Sequence, residues 1–165
     1  MKESRFWKII DTARKQAGED IHSRETSIIE QLTRLSEREL TEFHYLYFLH
    51  ELRAYSWELW GALFIINQGD TDDDNFQHFI SWLISEGKAT YQKIIENPEL
   101  LANREELDEI ELTPMTHIAE DVYKEKTGDD IPAHCCHYPE EPMGEAWDET
   151  DVIGKYPKLE KKYWS

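Results

Sequence analysis

From Ser4 to Gly18 the apolar positions Phe6, Ile9, Ile10, Ala13 and Ala17 recur at steps of three and four, the period of one helix face. Gly18 supplies a stop, so the spacing predicts a first amphipathic helix. The stripe Ile28, Ile29, Leu32 and Leu35 predicts a second, from Ser23 to Leu35. Ser36 followed three residues later by Glu39 reads as a capping box, in which each side chain bonds the other residue's free amide. It opens a long helix. Leu40, Phe43, Leu46, Tyr47, Leu49 and Leu52 leave that helix little polar face, which places it at the centre of the expected fold.

The stretch RAYSWELWGALFIINQG, residues 53–69, continues helical, with Ser56 as the place for a break and Asn67, Gln68 and Gly69 as the end. Asp70 to Asn75 form a loop whose acids cap the next helix. That helix carries Phe76, Phe79, Ile80, Trp82 and Leu83, and Gly87 stops or kinks it. A further segment, Lys88 to Glu96, ends at Asn97 and Pro98. Thr113 and Pro114 start another helix, with Pro114 at its first position and Met115, Ile118, Ala119, Val122 and Tyr123 at helical spacing up to Gly128. Beyond Asp129, Pro132, Pro139, Pro142, Gly144, Gly154 and Pro157 break any long element, leaving room for one short helix after Asp148. No run of alternating β-branched residues and no internal repeat occurs. The expectation is therefore an all-α fold: one compact multi-helix domain, with a helical core over 1–128 and an irregular segment over 129–165 packed on it.

A chain of 165 residues is the size of one domain and buries roughly 70% of its unfolded surface without a staple. Charged residues are 32%, yet six Trp, eight Tyr and six Phe supply the large apolar side chains that a disordered chain lacks. The longest apolar run, Leu59 to Asn67, is too short to cross a bilayer, and Met1 to Ile10 lacks the apolar stretch of a signal peptide. A cytoplasmic protein is the expectation. Cys135 and Cys136 are adjacent, a poor geometry for bridging each other, so no disulfide framework is expected.

The net charge of −17 is unevenly spread: −5 over residues 1–95, −15 over 96–151 and +3 over 152–165. Acidity concentrated in this way repels nucleic acid and anionic membrane, and it attracts a protein with a basic surface. The plain alternative is that it only maintains solubility.

The segment RAYSWELWGALFIINQGDTDDDNFQHFISWLISEGKATYQ resembles the signature of a bacterial family catalogued as domain of unknown function 4240. The opening FWKIIDTAR, the later ENPELLA and the closing EPMGEAWDETDVIGKYPKL are similar to further blocks of that family. The resemblance falls on Phe6, Trp7, Asp11, Arg53, Ala54, Trp57, Trp60, Gly61, Asn67, Gly69, Asp72, Asp73, Phe76, Phe79, Trp82, Leu83, Gly87, Trp147 and Asp148. It implies a small single-domain protein and carries no activity, substrate or cofactor. AHCCHY lies between the recognisable blocks.

Zinc takes four ligands placed tetrahedrally, usually from two separated pairs. His134, Cys135, Cys136 and His137 are consecutive, so their side chains diverge and at most two reach one ion; a solvent-facing segment with ordinary thiols is the favoured reading, with zinc as its alternative. Asp70, Asp72 and Asp74 fit the first positions of a calcium loop, which then fails at Asn75 and Ser81. Helix capping explains these acids without a metal.

Arg53, Trp57 and Trp60, at steps of four and three, are expected on one helical face, where the arginine stacks on an indole and reaches Asp11 or Asp73. Such an aromatic stripe is more often plain core, the favoured reading; its alternative is a ligand pocket of these three with Asp72, Asp73 and Trp147. His44 and His50 sit among apolar neighbours and read as satisfied core or boundary histidines rather than catalytic bases. Of the paired Glu-x-x-His motifs a di-iron bundle needs, only Glu19 to His22 is present, and no phosphate loop or nucleophile motif occurs. The chain thus reads as a small acidic protein-binding module, of immunity or inhibitor type, with no catalytic residue nominated. The alternatives are a small-molecule or metal-dependent enzyme using the Arg53, Trp57 and Trp60 pocket, and a DNA-mimicking anti-restriction protein. The basic tail Lys155, Lys158, Lys161 and Lys162 weighs against the last of these.

Overall fold

Ser36 caps the longest helix as its spacing to Glu39 requires: its hydroxyl accepts from the Glu39 amide, and the Glu39 carboxylate accepts from the Ser36 amide at 2.9 Å. Asp72 does the same with Asn75; the helix starts at Asp73, inside the expected 70–75 loop, and of the loop's acids Asp72 is the cap while Asp73 and Asp74 stand in the first turn. Asp20, Ser56 and Asp148 cap three more helices.

The computed structural model describes residues 1–105 and 112–164. Its helices are α1 Glu3–Ala17, α2 Ile21–Thr33, α3 Glu37–Ala54, α4 Trp57–Ile66, α5 Asp73–Ser85, α6 Lys88–Glu96, a 3-10 helix at Pro98–Asn103, and α7 Met115–Thr127. The short turns α8 Glu149–Val152, α9 Pro157–Leu159 and a π-helical turn at Glu160–Trp164 follow. The protein is all-α. Among the described residues no strand forms, and Ser56 and Met143 make an isolated parallel bridge. Among the same residues no helix is long and apolar enough to cross a membrane. Glu106, Asp108, Glu109 and Glu111, part of the acidic stretch, lie outside the described residues.

The main packing pairs are α1 with α2 and α3 with α7, while α5 lies against α1 and α3. Phe6, Phe43, Tyr47, Phe76, Phe79 and Tyr91 fill the space between them and are almost completely buried. Three expectations change in detail. Ile29, assigned to the buried stripe of α2, is 39% exposed, because α1 and α7 cover only the face carrying Ile28 and Leu32. On α3, Leu49 and Tyr45 reach the surface, while His44, His50 and Glu51 turn inward. Pro114 sits one residue earlier than predicted, as the cap of α7 with ψ 128°, since its ring fixes φ but leaves ψ free to enter the helix from extended backbone.

α3 and α4 are separate helices, broken at Tyr55 and Ser56. The break creates a binding edge for later chain: Trp57 donates its amide to the Met143 carbonyl, and Met143 donates to the Tyr55 carbonyl, each at 2.9 Å. The C-terminal segment then packs along α4. Gly61 permits this, because a Cβ there would lie 2.9 Å from Val152 Cγ2 and 3.0 Å from Trp147 Nε1. Val152, Tyr156 and Leu159 are buried against the core.

A buried ion cluster ties the other end together. The Glu86 carboxylate, 1% exposed, accepts from Arg24, itself 1% exposed, and from Arg104, with Arg14 at 3.5 Å. Arg24 also donates to the Gly18 carbonyl at 2.7 Å, which satisfies the C-terminal end of α1. Gly87 follows at φ +91°, where a Cβ would lie 2.5 Å from Asp11 Oδ1.

Candidate functional site

His44, Phe48 and Glu51 are spaced four and three along α3, so all three project from one face, toward α7 and the strap of residues 131–138. With Gln77 of α5, Thr116, His117 and Glu120 of α7, and His134 and Tyr138 of the strap, they line an open cleft of about 250 Å³. The strap is held by its rings. His134 lies 4.4 Å from Phe48 and 5.3 Å from His44 between ring centroids, and Tyr138 meets Phe48 edge-on at 5.4 Å and Tyr55 at 5.2 Å.

The polar groups of this cleft are unevenly satisfied. His44 Nε2 lies 3.2 Å from Glu120 Oε1, and because a carboxylate only accepts, Nε2 carries the proton and Nδ1 is left as a bare acceptor. His44 Nδ1 and His134 Nδ1 are buried without a hydrogen-bond partner in the protein, and the buried Tyr138 hydroxyl lies beside the Glu51 carboxyl. Burial pushes the His44 imidazole below its ordinary range, with Glu120 acting partly against this, so the ring is neutral at pH 7. Glu51 is 3% exposed, and burial pushes its carboxyl up to about 7, with the adjacent Tyr138 hydroxyl counteracting part of the effect. Burial and the Glu51 charge together push the Tyr138 hydroxyl well above the usual phenol range. The cleft therefore presents a carboxyl that gains or loses a proton near neutrality beside a neutral imidazole, a pairing able to bind a polar molecule or to exchange a proton with it.

The pocket expected around Arg53, Trp57, Trp60, Asp72, Asp73 and Trp147 is not assembled as predicted. Arg53 belongs to α3 and the two tryptophans to α4, so the break at Tyr55 takes them off a common helical face. Arg53 is exposed and makes no ion pair with Asp11 or Asp73 among the described residues. Asp72 is engaged as a cap. Trp57, Trp60 and Trp147 do come together, with Trp57 at 6.3 Å from Trp60 and 5.7 Å from Trp147, and Trp147 donates its indole N–H to the Trp57 carbonyl at 2.6 Å. This cluster anchors the C-terminal segment.

The side chains of HCCH diverge, as consecutive positions on irregular chain must. His134 enters the cleft, Cys135 and His137 are exposed, and Cys136 lies against the Tyr45 hydroxyl. Among the described residues no three His, Cys, Asp or Glu side chains come together as one metal ion requires. His50 fits its expectation, packed 5.1 Å from Phe6 and 4.7 Å from Trp7. His44 does not: it lies on the cleft with one nitrogen unsatisfied.

Glu51 was not singled out from sequence. The signal was present, since an acid at the third step of His44, Phe48 and Glu51 continues a core-facing row, but it was masked by the surrounding leucines. His117 and Glu120, one helical turn apart on α7, carried a second signal.

No curated protein and no solved structure matches the chain. The match to a family model covers residues 1–125, so the closing stretch 141–159 lies beyond it. Extending over well more than half of the 165 residues, that match places the chain in the family described as proteins of unknown function, DUF4240, to which it belongs.

Proposed function

We propose that this domain binds a small polar molecule in the cleft between α3, α7 and the strap. The observation that carries the reading is the convergence of two partnerless imidazole nitrogens, His44 Nδ1 and His134 Nδ1, with the Tyr138 hydroxyl and the buried Glu51 carboxyl, on residues that line one opening. Each such atom costs about 1–3 kcal/mol when desolvated without a partner, so the seating of the strap is under tension that a bound molecule relieves. At about 250 Å³ the space lies below the range of drug-sized ligands, which favours a compact molecule. The aromatic-lined strap gives such a ligand one wall of the cleft.

A fragment library followed by amide NMR tests this. Compounds that bind are expected to shift the resonances of Phe48, Gln77, Thr116 and Glu120, and the shifts should weaken in Tyr138→Phe and His44→Ala. A library that leaves these four residues unmoved makes water the occupant and removes the reading.

A second reading, a partner with a basic surface, is supported by a different observation. Glu140, Glu141, Glu145, Asp148, Glu149 and Asp151 are all exposed, and no lysine or arginine lies between Lys126 and Lys155. Met143, 48% exposed, and Ile153, 39% exposed, add apolar contact area to the same segment. Such a surface steers a cationic protein toward it at rates that fall with salt. Affinity capture with the intact chain and with Glu140, Glu141 and Glu145 changed to Lys decides it. A partner retained equally by both forms would rule the acidic segment out.

A further inference from the structure

We propose that the cleft between α3, α7 and the strap receives a small organic cation in its ammonium form, an inference that rests on the ligand-binding reading above. The walls carry two carboxyl groups, Glu51 and Glu120, and no fixed cation, beside the neutral polar groups of Gln77, Thr116 and Tyr138. None of the residues lining the cleft is lysine or arginine. His44 lines the same opening with its Nε2 proton committed to Glu120, and its Nδ1 lone pair is buried with no donor in the protein. An occupant that satisfies this set must bring N–H donors, and an ammonium group brings three on one atom.

The competing classes fit less well. A bare metal ion needs its ligands within one coordination sphere, and no three candidate side chains meet that condition among the described residues. An anion has one feature in its favour, since Thr116 and His117 stand in the first turn of α7, whose free amides form a partial positive end. That end is worth about half a charge, and it faces two carboxyl groups. A neutral alcohol supplies a single donor and forgoes the charge attraction. The aromatic lining supports the same choice: Phe48 and Tyr138, packed edge to face at 5.4 Å, add apolar surface for the carbon skeleton of an alkylamine.

Protonation links to occupancy here. Glu51 faces the Tyr138 hydroxyl of the strap and Tyr47 of its own helix, with His44, His117, Glu120 and His134 around the rest of the opening. A cation beside Glu51 favours its ionised form, so binding at neutral pH releases a proton and weakens as acid protonates the carboxyl.

The test is an amide NMR titration of the intact chain with butylammonium, butanol and butyrate, three probes of similar size that differ in charge. Butylammonium is expected to shift Phe48, Gln77, Thr116 and Glu120 at about pH 8, with an apparent Kd raised about tenfold in Glu51→Gln and again at about pH 5.5. Glu120→Gln, at a half-exposed position that does not threaten folding, should weaken it in the same direction. Butanol or butyrate binding as tightly as butylammonium at these residues would overturn the cation and leave the ligand-binding reading intact. Silence from all three probes overturns the cation as well, and the broader reading then falls only if the fragment library is also silent.

Discussion

His44 and Glu120 form the polar link between α3 and α7, with His44 Nε2 at 3.2 Å from Glu120 Oε1 on one edge of the cleft. The contact fixes which ring nitrogen carries the proton and leaves the other without a partner. Glu120 also opposes the effect of burial on the imidazole, so Glu120→Gln should move the His44 titration to lower pH than in the wild type. Ring-proton NMR against pH reads it directly, and a midpoint unchanged or raised would mean that Nε2 does not bond to Glu120.

The raised carboxyl of Glu51 sets a pH dependence of stability. In the unfolded chain this group titrates near 4.5, and in the folded protein near 7, so between the two the folded state holds the extra proton. Stability contributed at this site is complete below the lower value and falls as pH rises to about 7. Glu51→Gln removes the loss, and its advantage over wild type should grow across that window to about 2–3 kcal/mol and then stay level. His44 and His50, held neutral by burial, work in the opposite direction as pH falls below the ordinary histidine range. Denaturation curves for wild type and variant at several pH values separate the effects, because the histidines are common to both.

Tyr138 gives a sharper test of the strap. Its hydroxyl is buried beside the Glu51 carboxyl without a hydrogen bond of normal length, so Tyr138→Phe should be neutral or stabilising by about 1 kcal/mol. A loss of similar size, measured by thermal or chemical denaturation, would reveal a bond to Glu51 instead.

The Arg24, Glu86 and Arg104 cluster is a structural element whose loss should be severe. Glu86→Gln leaves two arginines, and a third nearby, facing an uncharged amide in a buried site, and stability is expected to drop by roughly 3–5 kcal/mol. Urea denaturation measures this, and a change within about 0.5 kcal/mol would place the cluster in solvent.

Gly61→Ala should loosen the C-terminal segment rather than α4, because the added methyl meets Val152 and the Trp147 ring. A cost of about 1–3 kcal/mol is expected, together with faster proteolytic cleavage between residues 140 and 152. Cleavage at the wild-type rate would show that the segment adjusts without detaching.

The sequence by itself determined the helices and most of their ends. Apolar steps of three and four, and the reciprocal pairs Ser36 with Glu39 and Asp72 with Asn75, are local relationships read within a few residues, and helix formation depends on them. The break at Ser56 and the capping by Asp72 were legible for the same reason, while the start of α5 at Asp73 came earlier than the pattern indicated. Only the tertiary structure decided the site. His44 and Glu120 stand 76 residues apart, and His134 joins them from a segment without periodicity, so no local pattern brings these groups together. The same holds for Glu86, whose arginines come from α1, α2 and the chain beyond the 3-10 helix. Arg53, Trp57 and Trp60 show the converse, since their spacing suggested one face and a two-residue break in the helix separated them. Periodicity reports which face of a helix is buried; what that face meets is set by the packing of whole helices, and whether a buried polar group is satisfied depends on that meeting.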